Sequence, residues 1–230
     1  NALDQAFGPR LNFVFANEQV DKFSDLITEY DAVQVTISLS AVCGGLRSFG
    51  QENRGILEIL MPDFDGGETA IPLDRARWIE EELEIVHKNI GTGSDSPDAD
   101  LRDFLIGHPI SWYGLNIGID VGRTMTPRLQ QQVISELSSR TTRRLNLWHW
   151  PGGGGTTGGR RVAWDLHAQF PTVLAKRVVP DAMIERLQFL FSSTRLPLLV
   201  LVEDAVTTKD EIDRVYERAR SANIAVVFLQ

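Results

Sequence analysis

Trp150-Pro151-Gly152-Gly153-Gly154-Gly155-Thr156-Thr157-Gly158-Gly159-Arg160-Arg161 is the stretch on which the reading of this chain turns. Before it, Leu145 to Trp150 is strand-like; after it, Gly158 to Gln169 carries helical spacing. Consecutive glycines between a strand and a helix let backbone N–H groups converge on the oxygens of an anion, with the positive end of the helix behind them. Thr156 adds a hydroxyl suited to a magnesium ion. Set against G-x-x-x-x-G-K-[ST], the segment beginning at His149 matches at Gly154 and Thr156. It departs where His149 replaces the first glycine and Gly155 replaces the lysine.

Downstream the pattern is regular. Thr172 to Val178 reads as a strand, Asp181 to Ser192 as a helix and Leu198 to Val202 as a wholly apolar strand. Lys209 to Ser221 reads as a helix, and Ile224 to Leu229 as a last buried strand. Strands alternating with helices imply right-handed crossovers and a parallel sheet covered on both faces, an α/β fold. Glu203 and Asp204 end the apolar strand. Carboxylates there suit magnesium held on nucleotide phosphates, or a water aimed at them. They also suit a strand that has simply reached solvent, and on either reading their removal is expected to leave the fold intact. The absent loop lysine leaves the β- and γ-phosphates without a cation. Arg160 and Arg161 are placed either to compensate or to serve the helix surface. The expectation is nucleotide binding with weak hydrolysis.

Pro151 to Thr157, with Arg160-Arg161-Val162-Ala163-Trp164-Asp165-Leu166-His167 and Phe170-Pro171-Thr172-Val173, resembles the phosphate-loop helix of STAND-type signal-transduction ATPases. The likeness is to the subgroup of sterile-alpha-motif-domain interferon-response proteins and their bacterial antiviral relatives. There too the loop lysine is often a glycine in a G-G-T-T context. Leu196 to Glu203 looks like the Walker B strand of that subgroup, and Ile110-Ser111-Trp112-Tyr113 to Asp120-Val121-Gly122-Arg123 is similar to what precedes the loop. The likeness covers about residues 108 to 230 and departs at Gly158-Gly159, where an apolar residue and an alanine are usual. It implies a P-loop NTPase domain binding ATP and Mg2+, with Pro151, Gly152, Gly153, Gly154, Gly155, Thr156, Thr157 and Arg160 around the nucleotide. Thr156 and Glu203 would serve the metal, and Glu203 and Asp204 the catalysis. It further implies a larger defence or stress sensor that self-assembles on activation. The partners would be ATP, further copies, or other domains of the parent protein. A catalytically inactive interaction scaffold is the alternative.

Residues 1–92 form a smaller α/β region. Leu11 to Phe15 and Val33 to Ile37 read as strands flanking a helix from Val20 to Tyr30, and Gly55 to Met61 as a third strand. In proteins resembling this one a degenerate Rossmann-like region resembling Sir2 enzymes can precede the P-loop domain, and residues 1 to 90 would be the end of such a region; no NAD-binding motif is visible in them. A helix capped by Asp74 is expected to run to about Lys88, its glutamates between Glu80 and Glu84 forming a solvated face. The small and polar run Gly91 to Asp98 is the expected linker. Residues 93–142 then hold helices over Leu101 to Gly107 and Pro127 to Leu137, the latter capped by Thr126, and 143–230 the P-loop-like domain.

At 230 residues, 43% hydrophobic and 23% charged, the chain can bury a sizeable core. A net charge of -8 offers no overall field to a polyanion, so nucleic-acid binding is not indicated. The lone Cys43 cannot form an internal disulfide, and no apolar run reaches membrane-spanning length, which together read as a cytoplasmic protein. Cys43 before Gly44-Gly45 suits either a buried thiol or a nucleophile elbow. His87, His108, His149 and His167 lack metal-ligand spacing. Trp148 and Trp150 flank the loop, placed for core packing, an interface or stacking on a nucleobase. A start without Met and an apolar end, Ile224 to Leu229, suggest a fragment whose sheet lacks a strand beside the one entering the loop.

Overall fold

The computed structural model describes residues 58–92, 97–150, 152–203 and 208–230. All belong to a unit running from Gly55 to Gln230. The expected strands and helix within residues 11–37, Cys43, Pro151 and Asp204 lie outside the described residues.

The parallel block forms with shifted bounds: the strand entering the loop is Arg143–Leu145 rather than Leu145 to Trp150, and the loop helix opens at Gly155 rather than Gly158. β4 (Arg143–Leu145) is followed by α5 (Gly155–Leu166), β5 (Thr172–Ala175), α6 (Pro180–Thr194), β6 (Leu198–Leu201), α7 (Lys209–Ser221) and β7 (Val226–Leu229). Preceding it are a hairpin of β1 (Glu58–Pro62) and β2 (Glu68–Pro72), then α1 (Leu73–Glu80) and β3 (Leu83–Val86). Helices α2 (Pro97–Leu105), α3 (Trp112–Ile117) and α4 (Thr126–Ser138) follow β3. The main sheet has the order β3-β5-β6-β7-β4, with β5, β6, β7 and β4 parallel and β3 antiparallel to β5. The sheet is thus mixed rather than wholly parallel.

The chain crosses from β4 at one edge to β5 three places away, with α5 on one face, then returns through α6 and α7 on the other. Right-handed crossovers dictate that division, because reversing the direction of travel reverses the face. Alternate strand residues sort accordingly. Val200, Val226 and Phe228 pack with Leu187 and Val215 of α6 and α7; Leu199, Leu201 and Val227 pack with Val162 and Leu166 of α5 and Val133 of α4.

The helix expected from Asp74 to Lys88 is Leu73–Glu80, with Pro72 rather than Asp74 at its cap, and Leu83–Val86 is a strand with Leu83 opposite Ala175. Leu83, Ile85 and Val86 are all buried, and β-branched Ile85-Val86 suits a sheet better than a helix. Glu82 is not on a solvated face: it is 3% exposed and pairs with Arg177 at 2.7 Å and Arg186 at 2.5 Å. The expected linker does not separate two bodies, since β3 before it pairs with β5 after it. Met125, not Thr126, occupies the cap position of α4. The additional strand lies beside β5, and among the described residues none flanks the outer edge of β4. No helix among them is long and apolar enough to cross a membrane.

Candidate functional site

The carboxyl ends of β4, β6 and β7 meet at one side of the sheet, where parallel α/β folds generally bind ligands. Beyond β4 the chain stays paired to β7, as Gln230 N donates to the Leu145 carbonyl and Leu147 N to that of Gln230. It then turns: Gly153 N donates to the Trp150 carbonyl at 2.7 Å, and Gly152 and Gly154 both have φ of +74°, a region that penalises any Cβ. Gly155 opens α5. The N–H groups of Gly155, Thr156 and Thr157 lie ahead of the first helical hydrogen bond, Gly158 N to Gly154 O at 2.9 Å, so they are available to an anion. Gly159 closes the approach of α5 to the sheet, for a Cβ there would stand 3.0 Å from Leu201 Cδ1.

Two side chains that the motif does not contain sit on this loop. Arg123, half-buried and delivered by the segment between α3 and α4, donates from Nη1 to the Gly153 carbonyl. A Cβ on Gly154 would fall on its guanidinium. The cation is therefore at the loop, supplied from 30 residues upstream. Its only sequence signal was its place in Asp120-Val121-Gly122-Arg123, to which no role attached. His149, at the position of the first motif glycine, lays its ring against Gly155, where a Cβ would stand 1.8 Å from Cδ2. Its Nδ1 is 3.0 Å from the Trp150 carbonyl, a contact that requires the Nδ1–H tautomer.

Glu203 does reach the loop helix. Arg160 Nε donates to Oε1 at 2.6 Å and Nη2 to Oε2 at 3.0 Å, while Nη1 donates to the Ile110 carbonyl at 2.7 Å. The guanidinium also lies 5.8 Å from the Trp112 ring centre. The side chains are 15% and 18% exposed, so the pair is largely withdrawn from water. Arg160 thus faces Glu203 and not the glycines, and the carboxylate carries structure, contrary to the expectation that its removal leaves the fold unaffected. Arg161 is likewise occupied, by Asp120, the Leu115 carbonyl and Asp165, and the Asp120 hydrogen bonds hold its guanidinium above the ordinary range.

Thr156, Glu203, Gly155, His149 and Gln230 line one cavity of about 290 Å³ between the loop and the strand ends. The loop amides and Thr156 offer donors to a phosphate group, while Arg123 lines a smaller neighbouring hollow with His149 and Gly153 to Gly155. The donor set for magnesium is thinner, because both Glu203 oxygens are engaged by Arg160 and no three ligating side chains cluster among the described residues. Thr157 is half-buried, one residue further into α5. Trp148 and Trp150 are 87% and 86% exposed, which removes core packing as their role. His167 stacks on Trp164 with centroids 4.4 Å apart and opposes His87 electrostatically. Burial, and then His167, lower the His87 pKa. Compared with known proteins, the chain matches no family model, no curated protein and no solved structure.

Proposed function

We propose that this chain binds a nucleoside triphosphate at Gly152 to Thr157, as a STAND-like signalling module of a larger defence or stress sensor that self-assembles on activation. The observation that carries the reading is Arg123 on the Gly153 carbonyl, beside the free amides of α5. An arginine at that place supplies the charge that Gly155 cannot. Thr156 and Glu203 share a cavity with the loop, which supports a role near the phosphates, with Glu203 reaching magnesium only after releasing Arg160. Sensor function and self-assembly rest on the family likeness alone. ATP is the expected nucleotide, and hydrolysis is expected to be slow.

The test is ATP titration with and without magnesium against the parent chain and Arg123→Gln. Loss of one charge-assisted hydrogen bond to phosphate should weaken binding by roughly 1.5–3 kcal/mol. Equal affinity in both proteins overturns the assignment. The Arg160–Glu203 pair specifically favours a second reading, an inactive scaffold in which that pair only fixes α5 to β6. In that case ATP leaves the thermal midpoint unchanged at millimolar concentration.

A further inference from the structure

At the opposite end of the sheet, the segments entering β4 and β7 enclose a cavity of about 540 Å³ lined by Arg140, Arg143, Arg220, Tyr216, Asn223 and neighbouring residues, with no acidic side chain among the described residues that line it. Its rim is built from two tight turns. Arg140 after α4 and Asn223 after α7 both adopt left-handed backbone, with φ of 51° and 54°. Such a conformation is easy for asparagine and costs arginine about 1 kcal/mol, so the turn holds Arg140 at the rim against a local preference.

Helices that follow parallel strands end at this side of the sheet, and their carbonyl ends attract cations. That accounts for Arg140, whose Nη2 donates to the Arg195 carbonyl at the end of α6 at 2.9 Å. It does not account for the others. Among the described residues Arg143 touches a carboxylate only through Nε, 3.4 Å from Glu136, and its terminal nitrogens meet no partner there. The Arg220 carbonyl accepts from Asn223 N at 3.1 Å, but the Arg220 guanidinium has no hydrogen-bond or ion-pair partner among the described residues. The adjacent Asp213 is taken by Arg144 at 2.5 Å and does not neutralise the cavity.

We propose that this cavity binds a small phosphate-bearing ligand, with phosphoryl oxygens held between the planar forks of Arg143 and Arg220. Planar guanidinium groups suit such oxygens in paired contacts. The volume lies in the range of small-molecule sites. The arginines gather around one hollow instead of forming a stripe, and the chain carries a net charge of -8, so a nucleic-acid strand fits less well.

The experiment is calorimetric titration of the full chain with inorganic pyrophosphate, repeated on Arg143→Gln/Arg220→Gln, on Arg220→Gln alone and on Arg123→Gln. The double variant should remove one pyrophosphate-binding event or weaken it about tenfold or more, Arg220→Gln should show part of that loss, and Arg123→Gln should affect at most a second event at the glycine loop, leaving the event lost in the double variant in place. If the double variant fails to fold, the single variant carries the decision. Three results overturn the proposal: no binding to the parent chain, binding unchanged in the arginine variants, or binding abolished by Arg123→Gln, which would assign it to the glycine loop. A single-stranded oligonucleotide that binds through Arg143 and Arg220 while pyrophosphate does not would also overturn it, in favour of a polymer.

Discussion

Arg160 on the second turn of α5 and Glu203 just past β6 form a two-pronged ion pair that joins the loop helix to the central strands. Removing either partner leaves the other charge largely out of water. Glu203→Ala should therefore destabilise the protein by about 1–3 kcal/mol, and Arg160→Ala by a similar amount. The double change should cost less than the sum of the two. Urea denaturation of the single and double variants measures the coupling, and strict additivity would show that the pair contributes nothing.

Gly155→Lys, which restores the residue of the phosphate-loop motif, is not a simple gain. Its Cβ would collide with the exposed His149 ring, which must swing off the Trp150 carbonyl, so the single variant should melt slightly below the parent. His149→Gly/Gly155→Lys removes the obstruction and re-creates both missing motif positions. That double variant should recover the midpoint and, if the loop holds phosphates, bind ATP more tightly by roughly 1.5–3 kcal/mol. Thermal melts and an ATP titration on the same samples check both parts.

Two adjacent glycines in α5 should respond differently to alanine. Nothing lies within 4 Å of a Cβ at Gly158, so Gly158→Ala should stabilise by about 0.5–1 kcal/mol through the smaller entropy of its unfolded chain. At Gly159 the new methyl meets Leu201 Cδ1 at 3.0 Å, and the helix must shift by tenths of an ångström to admit it. Gly159→Ala should gain less than Gly158→Ala or lose stability. Equal gains at both positions would contradict the close packing of α5 on β6.

His87 makes stability pH-dependent. Its ordinary pKa of 6.5 is lowered in the folded state by burial and by His167, so below 6.5 the unfolded chain binds the proton more readily than the folded one. The stabilisation is complete above the unfolded value and is lost as pH falls from there towards the folded pKa. The thermal midpoint should drop between pH 7 and 5, and His87→Gln should flatten that slope. A parent and variant with parallel profiles would remove His87 as the cause.

The alternation of apolar strands and amphipathic helices from Leu145 onward determined the parallel α/β block, because burial on both faces demands continuous apolar strands of the kind seen at Leu198–Leu201. The helical spacing from Lys209 is likewise local, and α7 begins there as expected, with Thr208 and Glu211 capping it reciprocally in the structure. The glycine run announced a tight turn before a helix for the same reason: positive φ at Gly152 and Gly154 is a property of the residues themselves. Tertiary structure decided the rest. Leu83–Val86 carries apolar spacing that serves a helix and a strand alike, and only its pairing with β5 selects the strand. Arg160 stands one turn from the loop in sequence yet faces Glu203, while Arg123, 30 residues away from Gly153, holds the loop carbonyl. No periodicity encodes such partnerships, because a long side chain is committed by whichever charge or carbonyl the packed elements bring within its reach.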